Sequence, residues 1–378
     1  MSVFSFHRLY KSWKNAIGKK TDTGKTYFKI LSIDGGGIRG IIPCQILAEM
    51  ENELIKEHGK DARLCDYFDL IAGTSTGGII AIGIALGIRA QDMLELYQNN
   101  GNEIFPPSNQ NILKKLFNVL RGKPFYDTAR LKELLEETYR KTNINSVRLG
   151  HAKTRLIIPT YSLVDQEIRI WKTSHSPGLQ WDYQLPAVDV ALSTAAAPIY
   201  FSPHDFKFNF LGKEGDVTIM KMIDGGIVAN NPAFIALMEA TMCLNKPLED
   251  IALLSLGTGE SKMDSGKSSS KISPMFWLNP KKGIRIYQVM AQAQAAQVDN
   301  LLNLYNRGLA GANKNIFTYM RLQHQFQLSE KIDMDSTSKY NIDLMRQVGE
   351  RIYRQNCDRL KKFFLTEKKQ EFTPDHTF

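Results

Sequence analysis

Residues 70–88 read LIAGTSTGGIIAIGIALGI, nineteen residues without a charge. That length could cross a bilayer as one helix. Five glycines and three consecutive hydroxyl residues, Thr74, Ser75 and Thr76, argue against it. Glycine and hydroxyl clusters punctuate elements rather than extend them. The stretch reads instead as a buried strand, a tight turn over 73–78 and a buried helix. Gly73-Thr74-Ser75-Thr76-Gly77 fits G-x-S-x-G with apolar sequence on both sides. Between a strand and a helix, that pattern stands a serine hydroxyl on a sharp turn at the sheet edge. Gly73 and Gly77 remove the Cβ atoms that would clash there, and the helix start beneath the serine favours developing negative charge. A glycine-rich turn used only for close helix–sheet packing would look the same.

The same grammar recurs upstream. Residues 27–33, YFKILSI, form a short β-rich run that ends at Asp34-Gly35-Gly36-Gly37-Ile38-Arg39-Gly40. A helical pattern follows from about Arg39 to His58, with Pro43 near its first turn and Gly59 as its stop. Further β-type runs fall at 155–161, 167–173, 217–223, 251–256 and 316–322. Helical periodicity falls near 90–100, 128–141, 186–196, 232–245, 284–306 and 341–364. Strands alternating with helices predict an α/β fold with a mainly parallel sheet covered on both faces. Two segments look like insertions. Residues 101–125 carry a basic amphipathic pattern on Ile112, Leu113, Leu116, Phe117 and Leu120, and 259–283 join a Ser/Lys/Gly-rich run to Met275-Phe276-Trp277-Leu278.

Three motifs could carry chemistry. The glycines of 34–40 expose successive amides at a helix start, which makes an anion cradle. A nucleotide P-loop would need G-x-x-x-x-G-K-[ST], but Ile41 and Ile42 follow Gly40. An oxyanion hole suits the loop better. Ile223-Asp224-Gly225-Gly226 ends the 217–223 run, and taken by itself is a common Asp-Gly turn. Of seven histidines only His324 and His376 follow Asp224, and neither has the loop setting of a triad histidine. A Ser–Asp dyad is the better reading. A Ser–His–Asp esterase using His324, and a binding module with a vestigial serine, remain alternatives.

Composition narrows the class. The chain has 378 residues, 43% hydrophobic and 23% charged, so it can bury its own core. Forty-eight Lys and Arg against 39 Asp and Glu give +9, which favours anionic partners. Cys44, Cys65, Cys243 and Cys357 are far apart, which fits neither a disulfide scaffold nor structural zinc. No EF-hand loop or HExxH is present, so no metal or cofactor is expected. Residues 1–20 lack the apolar core of a signal peptide. They hold five basic and no acidic residues, with Phe6, Leu9, Tyr10, Trp13 and Ile17 at helical spacing. Such a helix either lies on an anionic bilayer or packs on its own domain.

DGGGIRG at 34–40, GTSTG at 73–77 and DGG at 224–226 together resemble the patatin-like phospholipases. DARLCDYFDLIAGTSTGG at 61–78, STAAAPIYFSPH at 193–204, NNPA at 230–233 and LLSLGTG at 253–259 extend the likeness. The resemblance implies a three-layer α/β/α sandwich and a lipid acyl hydrolase. It implies Ser75 as nucleophile, Asp224 as base, and Gly35, Gly36 and Gly37 as oxyanion hole with Arg39 supporting the loop. The expected division is a basic segment 1–26, a catalytic core 27–260, and a loop with C-terminal helices, 261–378, completing the same domain. The implied substrate is ester-linked fatty acid in membrane phospholipid, cleaved through an acyl-Ser75 by a cytoplasmic, peripherally attached enzyme. The implied partners are a phospholipid surface and, as in some relatives, a nucleotide or protein activator, with no nucleic-acid polymer.

Overall fold

The computed structural model describes residues 25–106, 121, 123–212, 214–261, 274–277, 284–308, 316–327, 330 and 332–378. The basic stripe of 1–20, the apolar positions of 112–120 and the run after Glu260-Ser261 up to 273 lie outside them, as does Leu278.

The sheet is built on β1 (Phe28–Ile33), with β2 (Leu70–Gly73) and β7 (Ile251–Leu256) parallel to it on either side. On the β2 side come β3 (Arg155–Ser162), β6 (Asp216–Asp224) and β5 (His204–Asn209); on the β7 side comes β9 (Thr318–Leu322). β4 (Glu167–Lys172) makes a hairpin with β3, and the two-residue β8 (Glu260–Ser261) lies outside this sheet. The strands from β3 to β9 run parallel, whereas β4, β5 and β6 add antiparallel pairings at one end.

Alternation along the parallel strands shows why the runs are so uniformly apolar. Leu31 and Ile33 of β1, Ile71 of β2, and Leu254 and Leu256 of β7 face one core. Phe28, Ile30, Leu70, Ala72, Ile251 and Leu253 face the other. A strand buried on both faces needs apolar residues at every position. The larger core is closed by α1 (Ile41–His58), α2 (Thr76–Ala85), α3 (Ala90–Ile104), α4 (Thr128–Arg140) and α5 (Ala187–Ala195). The smaller core is closed by α7 (Ala233–Met238), which follows a single turn, α6 (Gly226–Ala229), and by α8 (Arg285–Gly308). The long helix α9 (Lys339–Leu360) packs along α1. This is the expected three-layer sandwich.

Residues 70–88 resolve into β2, a turn and α2, with every residue of α2 buried. A helix that is apolar all round belongs inside a protein or a membrane, and here the protein surrounds it. Among the described residues no helix is long and apolar enough to cross a membrane. Three local readings change. The glycine loop enters α1 through a 3₁₀ turn, Gly37–Gly40, and the 232–245 helix passes into a π-turn at Glu239–Cys243. β5 was not foreseen, although Phe206 and Phe208 are buried between exposed Asp205, Lys207 and Asn209.

One buried ion pair ties the sheet to the loop after β1. Arg321 on β9 donates to both Asp34 oxygens at 2.9 and 2.6 Å, and to Ser255 Oγ at 2.8 Å. Burial raises the Asp34 pKa, and the Arg321 guanidinium opposes that rise. Removing one member of a buried pair strands the other charge, which costs about 3–5 kcal/mol. Arg321→Ala is therefore expected to lose about that much in urea unfolding. Adding Asp34→Asn should recover part of the loss, and strict additivity of the two changes would refute the coupling.

Candidate active site

The register of β3 brings the two predicted motifs together. Arg155–Ile157 pair with Leu70–Ala72 of β2, and Thr160–Ser162 pair with Asp224–Met222 of β6. The opposite edge of β3, from Ile157 to Ser162, belongs to β4. So β2 and β6 share one edge of β3. β2 runs parallel to it and β6 antiparallel, and their C-terminal ends point at each other. Ile157 and Thr160 are three residues apart, about 10 Å of strand. The turn after β2 fills that gap and places Ser75 Oγ 2.7 Å from Asp224 Oδ2, to which it donates.

Ser75 sits in a strained backbone, with φ 55° and ψ −128°. A non-glycine residue in that region costs about 1–3 kcal/mol and needs its surroundings to hold it. Here the surroundings are explicit. The Ser75 amide donates to Thr194 Oγ1 at 3.0 Å, and that hydroxyl donates on to Pro159 O at 2.7 Å. Thr74 Oγ1 donates to Ala229 O at 2.6 Å, and Thr76 Oγ1 to Gly37 O at 2.8 Å. The three neighbouring hydroxyls thus serve three loops. Gly77 is needed because a Cβ there would collide with Ile33 O at the end of β1. Ser75 caps α2, whose first amides have no partner within the helix and carry its positive dipole end.

The glycine loop lies across this turn. Gly37 has φ 59°, and a Cβ on it would collide with Met334 O, which also accepts the Ile38 amide at 2.9 Å. Thr258 Oγ1 donates to Gly35 O at 2.8 Å. Arg39 is buried and directs Nε toward Gly36 O at 3.4 Å. Gly35 departs from its expected part. Its amide already donates to Asn230 O at 3.0 Å, so it has no proton to offer an oxyanion. Among the described residues the Gly36 and Gly37 amides make no such bond.

Asp224 is wholly buried. Its pKa is pushed up to about 6, chiefly by burial, against the pull of the Ser75 hydroxyl, the Gly226 amide and the Tyr287 hydroxyl. The Gly226 amide donates to Oδ1 at 2.6 Å. Tyr287, on α8, faces the carboxylate without closing a hydrogen bond of good geometry. No described histidine bonds to Ser75 or Asp224: His58 lies 3.9 Å from Glu57, His151 accepts the Arg148 amide, His175 pairs with Glu239, His204 with Asp189 and His376 with Pro177 O, and His324 stands 4.0 Å from Glu330. Beside Ser75 lies a narrow apolar cavity of about 30 Å³, walled by Ile79, Tyr97, Phe105, Phe201 and Met334.

Sequence reasoning missed Thr194, Thr258, Tyr287, Arg321 and the carbonyl of Met334. Thr194 and Thr258 lie inside STAAAPIYFSPH and LLSLGTG, so a signal existed. Tyr287 and Arg321 carry no local signature.

A sequence model of the patatin-like phospholipases matches residues 31–237. Patatin-like protein 2 of Arabidopsis thaliana is 31% identical over 355 residues, covering 88% of this chain and 84% of that protein. The cGAMP-activated phospholipase of Escherichia coli strain TW11681 is 35% identical over 265 residues, 67% of each chain. Patatin group M-3 of Solanum tuberosum is 30% identical over 345 residues, covering 85% and 82%. With over half its length matched by the family, and with its buried Ser75 and Asp224 joined across one edge of β3, the chain belongs to the patatin-like phospholipase family.

Proposed function

We propose that the protein is a lipid acyl hydrolase that releases ester-linked fatty acids from membrane phospholipids through an acyl-Ser75 intermediate. The observation that carries this reading is the 2.7 Å contact between Ser75 Oγ and Asp224, a carboxylate with its pKa raised to about 6. A free aspartate is a poor base, with a pKa of about 3.9. Raising it toward neutrality strengthens it as a proton acceptor while leaving it ionised at pH 7.

Ser75 Oγ attacks the ester carbonyl and its proton passes to Asp224. The Gly36 and Gly37 amides, with the first amides of α2, stabilise the oxyanion, a contribution of roughly 3–4 kcal/mol per donor. The acyl chain enters the apolar cavity beside Ile79 and Phe105. The departing alkoxide takes that proton from Asp224 and leaves as a lysophospholipid, and water activated by the re-ionised Asp224 then frees the fatty acid. The dyad includes no imidazole to protonate an amine, so esters are cleaved much faster than amides.

A second reading adds control. Relatives in Escherichia coli and Vibrio cholerae are cGAMP-activated phospholipases. We infer that this enzyme too can be held at low activity until a nucleotide second messenger or a partner binds. Product chromatography from defined phospholipids, with and without cGAMP, tests both readings: lysophospholipid and fatty acid appear in either case, and only the second gives a nucleotide-dependent rate.

Ser75→Ala and Asp224→Asn are each expected to reduce ester hydrolysis at least about 10³-fold, and the double mutant to be little worse. A folded single mutant with substantial activity refutes the dyad. Activity requires ionised Asp224, so the rate falls roughly tenfold per pH unit below about 6. Stability runs the opposite way. The folded pKa lies above the unfolded one, so burying the charge costs stability that grows from about pH 4 to about pH 6 and is constant above. Asp224→Asn should therefore be more stable than wild type at pH 8, by about 1–3 kcal/mol, and lose that advantage near pH 4. Thermal melts of both proteins across pH check the sign.

A further inference from the structure

Around the Cα of Gly226 three buried oxygens converge. A methyl group built on that residue would stand 2.6 Å from the Tyr287 hydroxyl, 3.0 Å from Asp224 Oδ1 and 3.2 Å from Asn230 Oδ1. Two of the three, the Tyr287 hydroxyl and Asn230 Oδ1, have no hydrogen-bond partner among the described residues. An unpaired buried hydroxyl costs about 1–3 kcal/mol, so its retention calls for a purpose. Tyr287 reaches this place from the first turn of α8, which packs into the larger core, whereas later turns of the same helix close the smaller one.

Asp224 has few supports. The groups acting on its charge are the Ser75 hydroxyl from the β2–α2 turn, the Gly226 amide from its own loop and the Tyr287 hydroxyl from α8. Its backbone amide is spent on Ala196 O after α5, and Thr160 of β3 pairs with it through the sheet. No charged side chain is among the groups that shift it. A wholly buried carboxylate without a cation stays ionised only through donated hydrogen bonds. In the free enzyme Ser75 supplies one of them. Once Ser75 is esterified, its Oγ has no proton to donate, and the carboxylate loses that bond when it must activate water.

We propose that Tyr287 is the positioning residue that holds Asp224 through deacylation, by donating its hydroxyl to the carboxylate when acylated Ser75 no longer can. The proposal rests on the acyl-Ser75 reading. Water adds its oxygen to the acyl carbonyl and gives its proton to Asp224. The tetrahedral carbon then expels Ser75 Oγ, which takes that proton back, and fatty acid is released. Tyr287 keeps its own proton throughout, as expected of a phenol whose pKa is raised well above its ordinary value by burial and by Asp224 itself.

The test uses the full chain with a soluble chromogenic ester. Tyr287→Phe is expected to move the acidic limb of kcat upward by about one pH unit, the order expected for one lost hydrogen bond to a charge. It should also show a burst of about one product per enzyme before slow turnover, because acyl-enzyme accumulates. A limb that coincides with wild type overturns the proposal, whether or not the overall rate falls, because a merely structural tyrosine changes amplitude and not the pH dependence. If Tyr287→Phe does not fold, 3-fluorotyrosine placed at 287 keeps the shape and donates more strongly. The limb should then move to lower pH, and no movement overturns the proposal. Ser75→Ala in the same assay separates the two claims. Residual activity there refutes the acyl-Ser75 reading itself, whereas an inactive Ser75→Ala with an unshifted tyrosine variant refutes only the role of Tyr287.

Discussion

The meeting of Ser75 and Asp224, on which the proposed function rests, depends on one shared edge of β3. A strand has two edges, and β4 occupies one of them from Ile157 to Ser162. The other is divided between β2 and β6, which enter from opposite directions and stop short of each other. The backbone of β3 thereby fixes the separation of two chain ends that lie 149 residues apart in sequence. Rigid hydrogen-bonded ladders hold such a gap more accurately than loops do. In the turn after β2, Ser75 adopts a positive φ and its hydroxyl meets Asp224.

Holding that arrangement requires support from every layer. Thr194 at the end of α5, Ala229 at the end of α6 and Gly37 in the glycine loop each take one hydrogen bond from the 74–76 turn. The glycine loop is itself held by Asn230, Thr258 and Met334, and its first residue by Arg321 from the far edge strand β9. The strain at Ser75 and the buried charge at Asp224 both cost stability, and the surrounding network offsets them. This is the expected pattern where a strained turn and a raised pKa serve chemistry.

In the proposed dyad the carboxylate of Asp224 stands where other serine hydrolases use histidine. Burial without a cation raises its pKa, while donated hydrogen bonds keep it ionised and aimed. The balance is set by groups from three separate elements, so it is a property of the packed molecule and of no single motif. The apolar cavity beside Ser75 belongs to the same packing: α2, α3, α4 and the 332–338 loop enclose it as they close the larger core.

Local patterning along the chain carries its grammar of strands, turns and helices. Largely apolar runs at 28–33, 70–73 and 251–256, broken only by Lys29, Ser32 and Ser255, point to strands buried on both faces and so to a parallel sheet between helical layers. Glycines flanking Ser75 required a tight turn there. The half-exposed β5 went unread, though its alternation of Phe206 and Phe208 with polar residues is a two-residue period in plain view. Three-dimensional packing sets which distant groups meet. It matched Asp34 with Arg321 across 287 residues, brought Tyr287 against Asp224, and spent the Gly35 amide on Asn230, while the Gly36 and Gly37 amides make no backbone bond among the described residues. Periodicity and turn chemistry act within a few residues, and they say nothing about which distant backbone carbonyl or buried hydroxyl will occupy the facing position. That is settled by strand register and by the layer each helix is packed into.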